Sequence, residues 1–233
     1  MAGYQHSQYL SNYQIDTLEK FTFLVTPRSE INTSYNMNDI NEIKWYPMRS
    51  SYGREKIVKN HLDKLGIDNY LPMTYQIVEE NGKHHRELVP AIHNLIFIHS
   101  SRNIITNLKK SNTHLSSLRY MKRKSLETSN SQALILTVPI NQMNNFITAT
   151  KGHEEDVTYL DSKNGNGTIG QKVRITDGIF GGVEGYIKRI HKNKRVLVCV
   201  KGISSVMLNF VHKDLLEIIS DEKDSNKPYV LRS

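Results

Sequence analysis

Residues 173–190 read VRITDGIFGGVEGYIKRI. In this stretch two short apolar-alternating runs flank a cluster of turn residues. Asp177 and Gly178 end the first run in a tight turn, and Phe180 supplies an aromatic plug. Gly185 lets the chain enter the second run at a point where a β-carbon would clash. The neighbouring sequence has the same character: QKVRIT, GYIKRI, RVLVCV and VMLNF are separated by Gly, Asn and Lys. Roughly five strands in roughly 50 residues bury their inner faces only by curling up, so a small β-barrel is predicted over 169–220. Asp177, Gly178, Phe180 and Gly185 are read as its architecture rather than as contact sites.

Upstream of the barrel, residues 153–168 are acidic and then rich in Gly and Asn, the composition of a flexible linker. Residues 42–152 look different again. IKWYPMR predicts a strand, and Val58, Leu62 and Leu65 then recur at helical spacing with Ile57 beside them, closed by Gly66. Asn81-Gly82 predicts a tight hairpin turn in an exposed ribbon whose returning strand carries Lys83 to Arg86. IHNLIFIH, residues 92–99, is the most apolar strand of this half and is expected at the centre of its sheet. Ser100 or Ser101 should cap a helix bearing Ile104, Ile105 and Leu108, and Pro139 should open a last helix ending near Gly152. The order β-α-β-β-α-β-α predicts an α+β sandwich of ferredoxin-like type. Residues 1–41 read as a flexible arm and 221–233 as a tail.

Composition narrows the function. The chain of 233 residues carries a net charge of +8, with Lys and Arg in excess over 41–124 and 161–233 and acidic residues in excess elsewhere. A basic surface favours nucleic acid, or a machine that holds it, as partner. No apolar run approaches a membrane span and the start MAGYQHSQYL lacks the pattern of a secretion signal, so a cytoplasmic protein without membrane contact is expected. The single Cys199, in VLVCV, is expected to be a buried small hydrophobe.

Three chemical motifs fail on inspection. GNGTIG has the glycine spacing of a dinucleotide loop, but a linker precedes it and a strand follows, where that site needs a strand and then a helix. His84 and His85 are adjacent on a predicted strand and point to opposite faces, and His93 and His99 add no metal-ligand spacing, so no metal is expected. No nucleophile elbow or phosphate-binding loop occurs. The expectation is a binding protein with no catalytic residues and no cofactor.

The segment from about Gly170 to Glu217, closing on VHKDLLEI, resembles the KOW motif of NusG-type factors and some ribosomal proteins. KWYPMRSSYGREKIVKNHL, with Trp45, Tyr46, Gly53 and Glu55, resembles the opening of the NusG N-terminal (NGN) domain, and YLPM followed by the ribbon and VPAIHNLIFIH fits the same family. With VPINQMNNF and RIHKNKRVLV, the pattern is most similar to the UpxY-type antiterminators of capsular polysaccharide operons. Two departures stand out. Pro47 follows Trp-Tyr where an aliphatic residue is usual, which predicts an edge strand or a lost ladder bond, and His93-Asn94-Leu95 replaces Pro-Gly-Tyr.

The resemblance implies an NGN domain followed by an SH3-like KOW barrel, and a factor that docks on the clamp helices of the largest subunit of RNA polymerase and suppresses pausing. Strand alternation puts His93, Leu95, Phe97 and His99 on one face and Ile96 and Ile98 on the other. Within that first face the resemblance to the family falls on Leu95 and Phe97, which with Arg49 on the neighbouring strand are the candidate polymerase-binding residues it implies. Arg54, Lys56 and Lys59, around the first helix, are candidates for contact with non-template DNA. The KOW barrel is expected to meet a ribosome or a termination factor. The competing reading is a ribosome- or RNA-binding KOW module that grips RNA through residues 191–195 and has no polymerase role.

Overall fold

The computed structural model describes residues 40–124, 133–160, 169–190, 193–200 and 203–219; they all fall within one compact unit, Met37–Ser233. Nearly all of the predicted arm and tail therefore lies outside the described residues.

Two strands make the centre of the first sheet. β1 (Ile43–Arg49) pairs antiparallel with β5 (Leu95–Ser101) along its whole length, from Ile43↔Ser101 to Arg49↔Leu95. The two-residue strands β2 (Asn69–Tyr70) and β6 (Arg119–Tyr120) flank them in the order β2-β5-β1-β6. Because side chains alternate, the sheet has two apolar faces. Tyr46, Met48, Ile96 and Ile98 pack with Val58 and Leu62 of α1 (Glu55–Lys64) and Ile105 of α2 (Arg102–Ser111). Trp45, Leu95 and Phe97 pack on the other side with Met143, Phe146 and Ala149 of α3 (Ile140–Thr150).

The helix ends follow their residues. α1 stops in a Schellman arrangement: Gly66 adopts φ 65°, its N–H bonds the Asp63 carbonyl at 3.1 Å, and the Ile67 N–H bonds the Leu62 carbonyl at 3.0 Å. Ser101 caps α2, its Oγ accepting the Ile104 N–H at 3.2 Å. Leu65 and Ile57, expected on the buried stripe of α1, are instead exposed, because the sheet covers only the width of Val58 and Leu62. Of the two expectations for Pro47 the lost ladder bond holds and the edge strand does not, since β1 is an interior strand. Its carbonyl accepts from the Met121 N–H at 3.3 Å, so its missing donor faces the β6 side, where pairing is confined to Met48 and Arg49, and the full β1–β5 ladder is kept.

The ribbon consists of β3 (Met73–Glu80) and β4 (Lys83–Pro90), paired only with each other. Its turn residues Asn81 and Gly82 take φ 53° and 72°, the two positive values a type I′ turn requires. A second small pair joins β7 (Lys122–Lys124) to β8 (Ala133–Ile135).

The second half is a six-stranded antiparallel sheet in the order β14-β10-β11-β12-β13-β9. It comprises β9 (Val157–Leu160), β10 (Ile169–Ile175), β11 (Glu184–Ile190), β12 (Asn193–Val200), β13 (Ser204–Leu208) and β14 (Leu216–Ile218). The linker reading of 153–168 is corrected over its first part, where β9 pairs with β13 from Val157↔Leu208 to Leu160↔Ser205, while 161–168 lie outside the described residues. Asn209 fastens it. Its N–H bonds the Asp156 carbonyl (2.8 Å), its Nδ2 the Glu155 carbonyl (3.0 Å), and its Oδ1 accepts from Thr158 Oγ1 (2.8 Å).

One apolar core runs from the first half into the second. Phe97, Met143 and Phe146 belong to the same buried cluster as Val173, Val183, Val198 and Val206. Phe146 meets Tyr159 of β9 at 6.3 Å between ring centroids, and Asn145 Oδ1 accepts the Glu184 N–H at 3.1 Å. Asn and Thr on α3 thus face a neighbouring sheet that sequence alone did not place there.

Candidate functional site

β5 carries the residues expected to dock on polymerase, and the structure corrects that expectation. Leu95 is 2% exposed and Phe97 0%. The Phe97 ring lies 5.8 Å from that of Phe146, under α3. Alternation correctly separated the two faces of β5, but both are covered, so Leu95 and Phe97 are core. His99, on the same face, stacks on Trp45 at 4.7 Å between centroids and approaches Asp68 at 3.6 Å. Arg49, the third of the predicted set, is exposed at the end of β1.

The first-helix cations divide. Lys56 Nζ binds Glu87 Oε1 (3.1 Å) and the Leu88 carbonyl (2.8 Å), tying α1 to the ribbon. Lys59 pairs with Asp63, one turn on, at 2.9 Å. Burial alone would push the Asp63 carboxyl up, but hydrogen bonds from Lys59 and Asn69 outweigh it and hold the group below its usual range. Both lysines therefore have local carboxylate partners in the structure. Such exposed pairs are worth only about 0–1 kcal/mol, so they tether rather than stabilise. Arg54 is exposed and forms no ion pair among the described residues.

Between β1 and α1 lies a turn, signalled in the sequence by Ser50, Ser51, Tyr52 and Gly53. Tyr52 and Gly53 have φ 60° and 65°, and Asn94, just before β5, has φ 57°. Asn94 holds the turn from both ends: its carbonyl accepts the Ser50 N–H at 3.1 Å and its Oδ1 the Gly53 N–H at 3.2 Å. The Asn94 N–H in turn donates to Oε1 of Glu55, a buried carboxylate in the first turn of α1. The departure at His93-Asn94-Leu95 is thereby explained, since Asn tolerates the left-handed conformation and its amide closes the turn. Tyr52 stands 91% exposed on this turn. Sequence reasoning missed Asn94 as the lock of this turn; the readiness of Asn to adopt positive φ was the one available signal.

The glycine-rich motif is architectural, as read. Asp177 Oδ1 accepts the Gly178 N–H at 2.7 Å, and Gly178 has φ 84°. A β-carbon on Gly185 would lie 2.7 Å from the Leu197 carbonyl oxygen and 2.8 Å from Val196 Cγ1, so only glycine fits. Phe180 is buried, with His153 at 5.0 Å between ring centroids. Most of the basic loop at 191–195 lies outside the described side chains. Cys199 is half-buried and accepts from Ser205 Oγ at 3.4 Å, on the face opposite Val198 and Val200 rather than in the core; burial, first, pushes its thiol up.

Among the described residues, no three His, Cys, Asp or Glu side chains are grouped to hold a metal, and no helix is long and apolar enough to cross a membrane. Residues 43–145 match the family model for NusG, described as transcription termination factor nusG. That span opens on β1 and ends within α3, so the match supports a NusG-family relationship for the four-stranded sheet, its helices and the ribbon. The relationship suggests a transcription elongation or antitermination factor, and factors of that family generally bind RNA polymerase. No curated protein matches the chain.

Proposed function

We propose that the protein is a transcription elongation and antitermination factor that binds RNA polymerase through its N-terminal α+β domain, suppresses pausing or termination, and catalyses no reaction. The observation that carries this reading is the NusG match over residues 43–145, which coincides with the sheet, three helices and ribbon. The β-sheet that follows, with its Gly-rich turn and its Gly185 contact, supports assignment of the second half as a KOW domain of SH3-like type. Its resemblance to UpxY-type factors points to a specific operon, such as one for a capsular polysaccharide, and to work in the cytoplasm. Because Leu95 and Phe97 are core, docking is assigned to side chains that reach the surface of the same domain.

The test is co-purification of the tagged full chain with host RNA polymerase at moderate salt, followed by single-round transcription through a pause. Stoichiometric polymerase and shortened pauses are the expected result. Recovery of ribosomes or RNA without polymerase would replace this reading with that of an RNA-binding module.

A further inference from the structure

We propose that the protein pairs with a second copy of itself edge to edge, strand β3 against strand β3, to make one four-stranded antiparallel sheet in the order β4-β3-β3-β4. The two edges of the ribbon differ. Asn81-Gly82 is a two-residue turn, so its flanking residues Glu80 and Lys83 form a hydrogen-bonded pair. Alternation then points the backbone groups of Thr74, Gln76 and Val78 at β4, and those of Tyr75, Ile77 and Glu79 outward. The same parity turns the Leu88 carbonyl outward on β4, and Lys56 Nζ is bound to it at 2.8 Å. β4 is tied down further by Glu87 to Lys56 at 3.1 Å and by Arg86 to Glu155 at 2.8 Å. Along β3, by contrast, the outward row meets no other strand among the described residues.

β3 lacks the devices by which an edge strand avoids its own kind. TYQIV, residues 74–78, holds no charge, proline or glycine, and the register with β4 runs without a bulge from Met73↔Pro90 to Glu80↔Lys83. Its exposed apolar side chains, Tyr75 at 40% and Ile77 at 72%, share a face. A two-stranded ribbon is marginal in water and gains from further strands.

The strand is also complementary to itself. When two copies run antiparallel about a two-fold axis at Gln76, the outward groups of Tyr75 meet those of Ile77 of the second copy, and the reverse. Both contacts set an aromatic against a β-branched side chain, a favourable cross-strand pair. On the other face Thr74 meets Val78 twice, and the two Gln76 amides lie side by side at the axis. The charges of β3, Glu79 and Glu80, go to opposite ends of the joint. Glu79 then faces Met73 of the second copy and lies about 20 Å along the strand from its counterpart, beyond the Debye length. A parallel pairing in register would set Glu79 beside Glu79, so charge selects the antiparallel one. An edge alone is a small interface, which makes the dimer a weak one, with a dissociation constant on the order of 10 μM. None of this depends on the elongation-factor reading.

Sedimentation velocity of the full chain from about 1 to about 200 μM, with amide hydrogen exchange over the same range, tests the pairing. The mass should move from 26.9 kDa toward twice that value, and the amides of Tyr75, Ile77 and Glu79 should gain protection in step. Gln76→Glu and Gln76→Lys each bring like charges together at the axis and should weaken the dimer about fivefold or more. Mixed in equal amounts, the two variants should pair with each other at least as tightly as the parent does with itself. Gln76 is exposed, so the circular dichroism and melting of both variants should match the parent. A chain that stays monomeric at the highest concentration, a dimer that both variants leave unchanged, or variants that remain apart when mixed would each overturn the proposal. Protection already complete at the lowest concentration would put a segment of the same chain on the edge and overturn it too. A monomeric chain whose Gln76→Lys variant retains less polymerase would give the edge to polymerase instead of a second copy.

Discussion

β5 and strand β3 of the ribbon differ in sequence and in fate. β5 opens on the unbroken apolar run Leu95 to Ile98, whereas on β3 Met73, Tyr75 and Ile77 alternate with Thr74 and Gln76. β5 is buried on both faces, whereas Ile77 of β3 is 72% exposed and Tyr75 is exposed with the Arg86 guanidinium 4.3 Å from its ring centroid. Alternation decides which side chains share a face. Whether that face meets water is decided by elements that arrive from elsewhere in the chain: α3 from residues 140–150, and α1 and α2 on the opposite side. Among the described residues the ribbon receives no such cover, and it keeps its own register through the Asn81-Gly82 turn.

The sharpest way to break this comparison is Phe97→Ala. It should destabilise the protein by about 3–5 kcal/mol in urea unfolding. A cost near 1 kcal/mol would mean that the α3 face of β5 is not packed and that docking through Leu95 and Phe97 deserves to be restored. The next effect is a pH dependence. Burial raises Tyr70, beside β5, to about 12, and raises Tyr159 as well. A tyrosine whose folded pKa lies above the unfolded value of about 10 stabilises fully below pH ~10 and loses that contribution as pH rises toward ~12. The unfolding free energy from urea titration should therefore fall between these pH values, by roughly 2–3 kcal/mol for Tyr70 alone, and Tyr70→Phe should remove most of its share of the fall. The smallest effect belongs to the ribbon. Ile77→Ser should change stability by less than about 0.5 kcal/mol, while any loss of polymerase retention in the same variant would mark the ribbon as a docking surface.

The elements of the first half were largely legible. The helical spacing of Val58 and Leu62, the Ser101 cap and the Asn-Gly turn each act through neighbours a few residues away, which a sequence displays directly. The misreadings share one physical cause, distance along the chain. Phe97 is covered by Phe146, Lys56 is claimed by Glu87, and Val157 pairs with Leu208. None of these pairings has a local signature. The turn at Tyr52 fell between the two cases: its Gly was visible, but its lock, Asn94, lies 41 residues from Gly53.

The strand β9 also determines where the molecule can be divided. A C-terminal half cut to begin at Ile169 would leave the β13 edge bare, and an open edge of that kind is a template for aggregation. The heritable unit is longer than the glycine-rich motif suggests. Recombination that exchanges C-terminal halves between related chains must carry Thr158 and Asn209 together, because their side chains bond each other, whereas the carbonyls of residues 155 and 156 are supplied by the backbone whatever the residue.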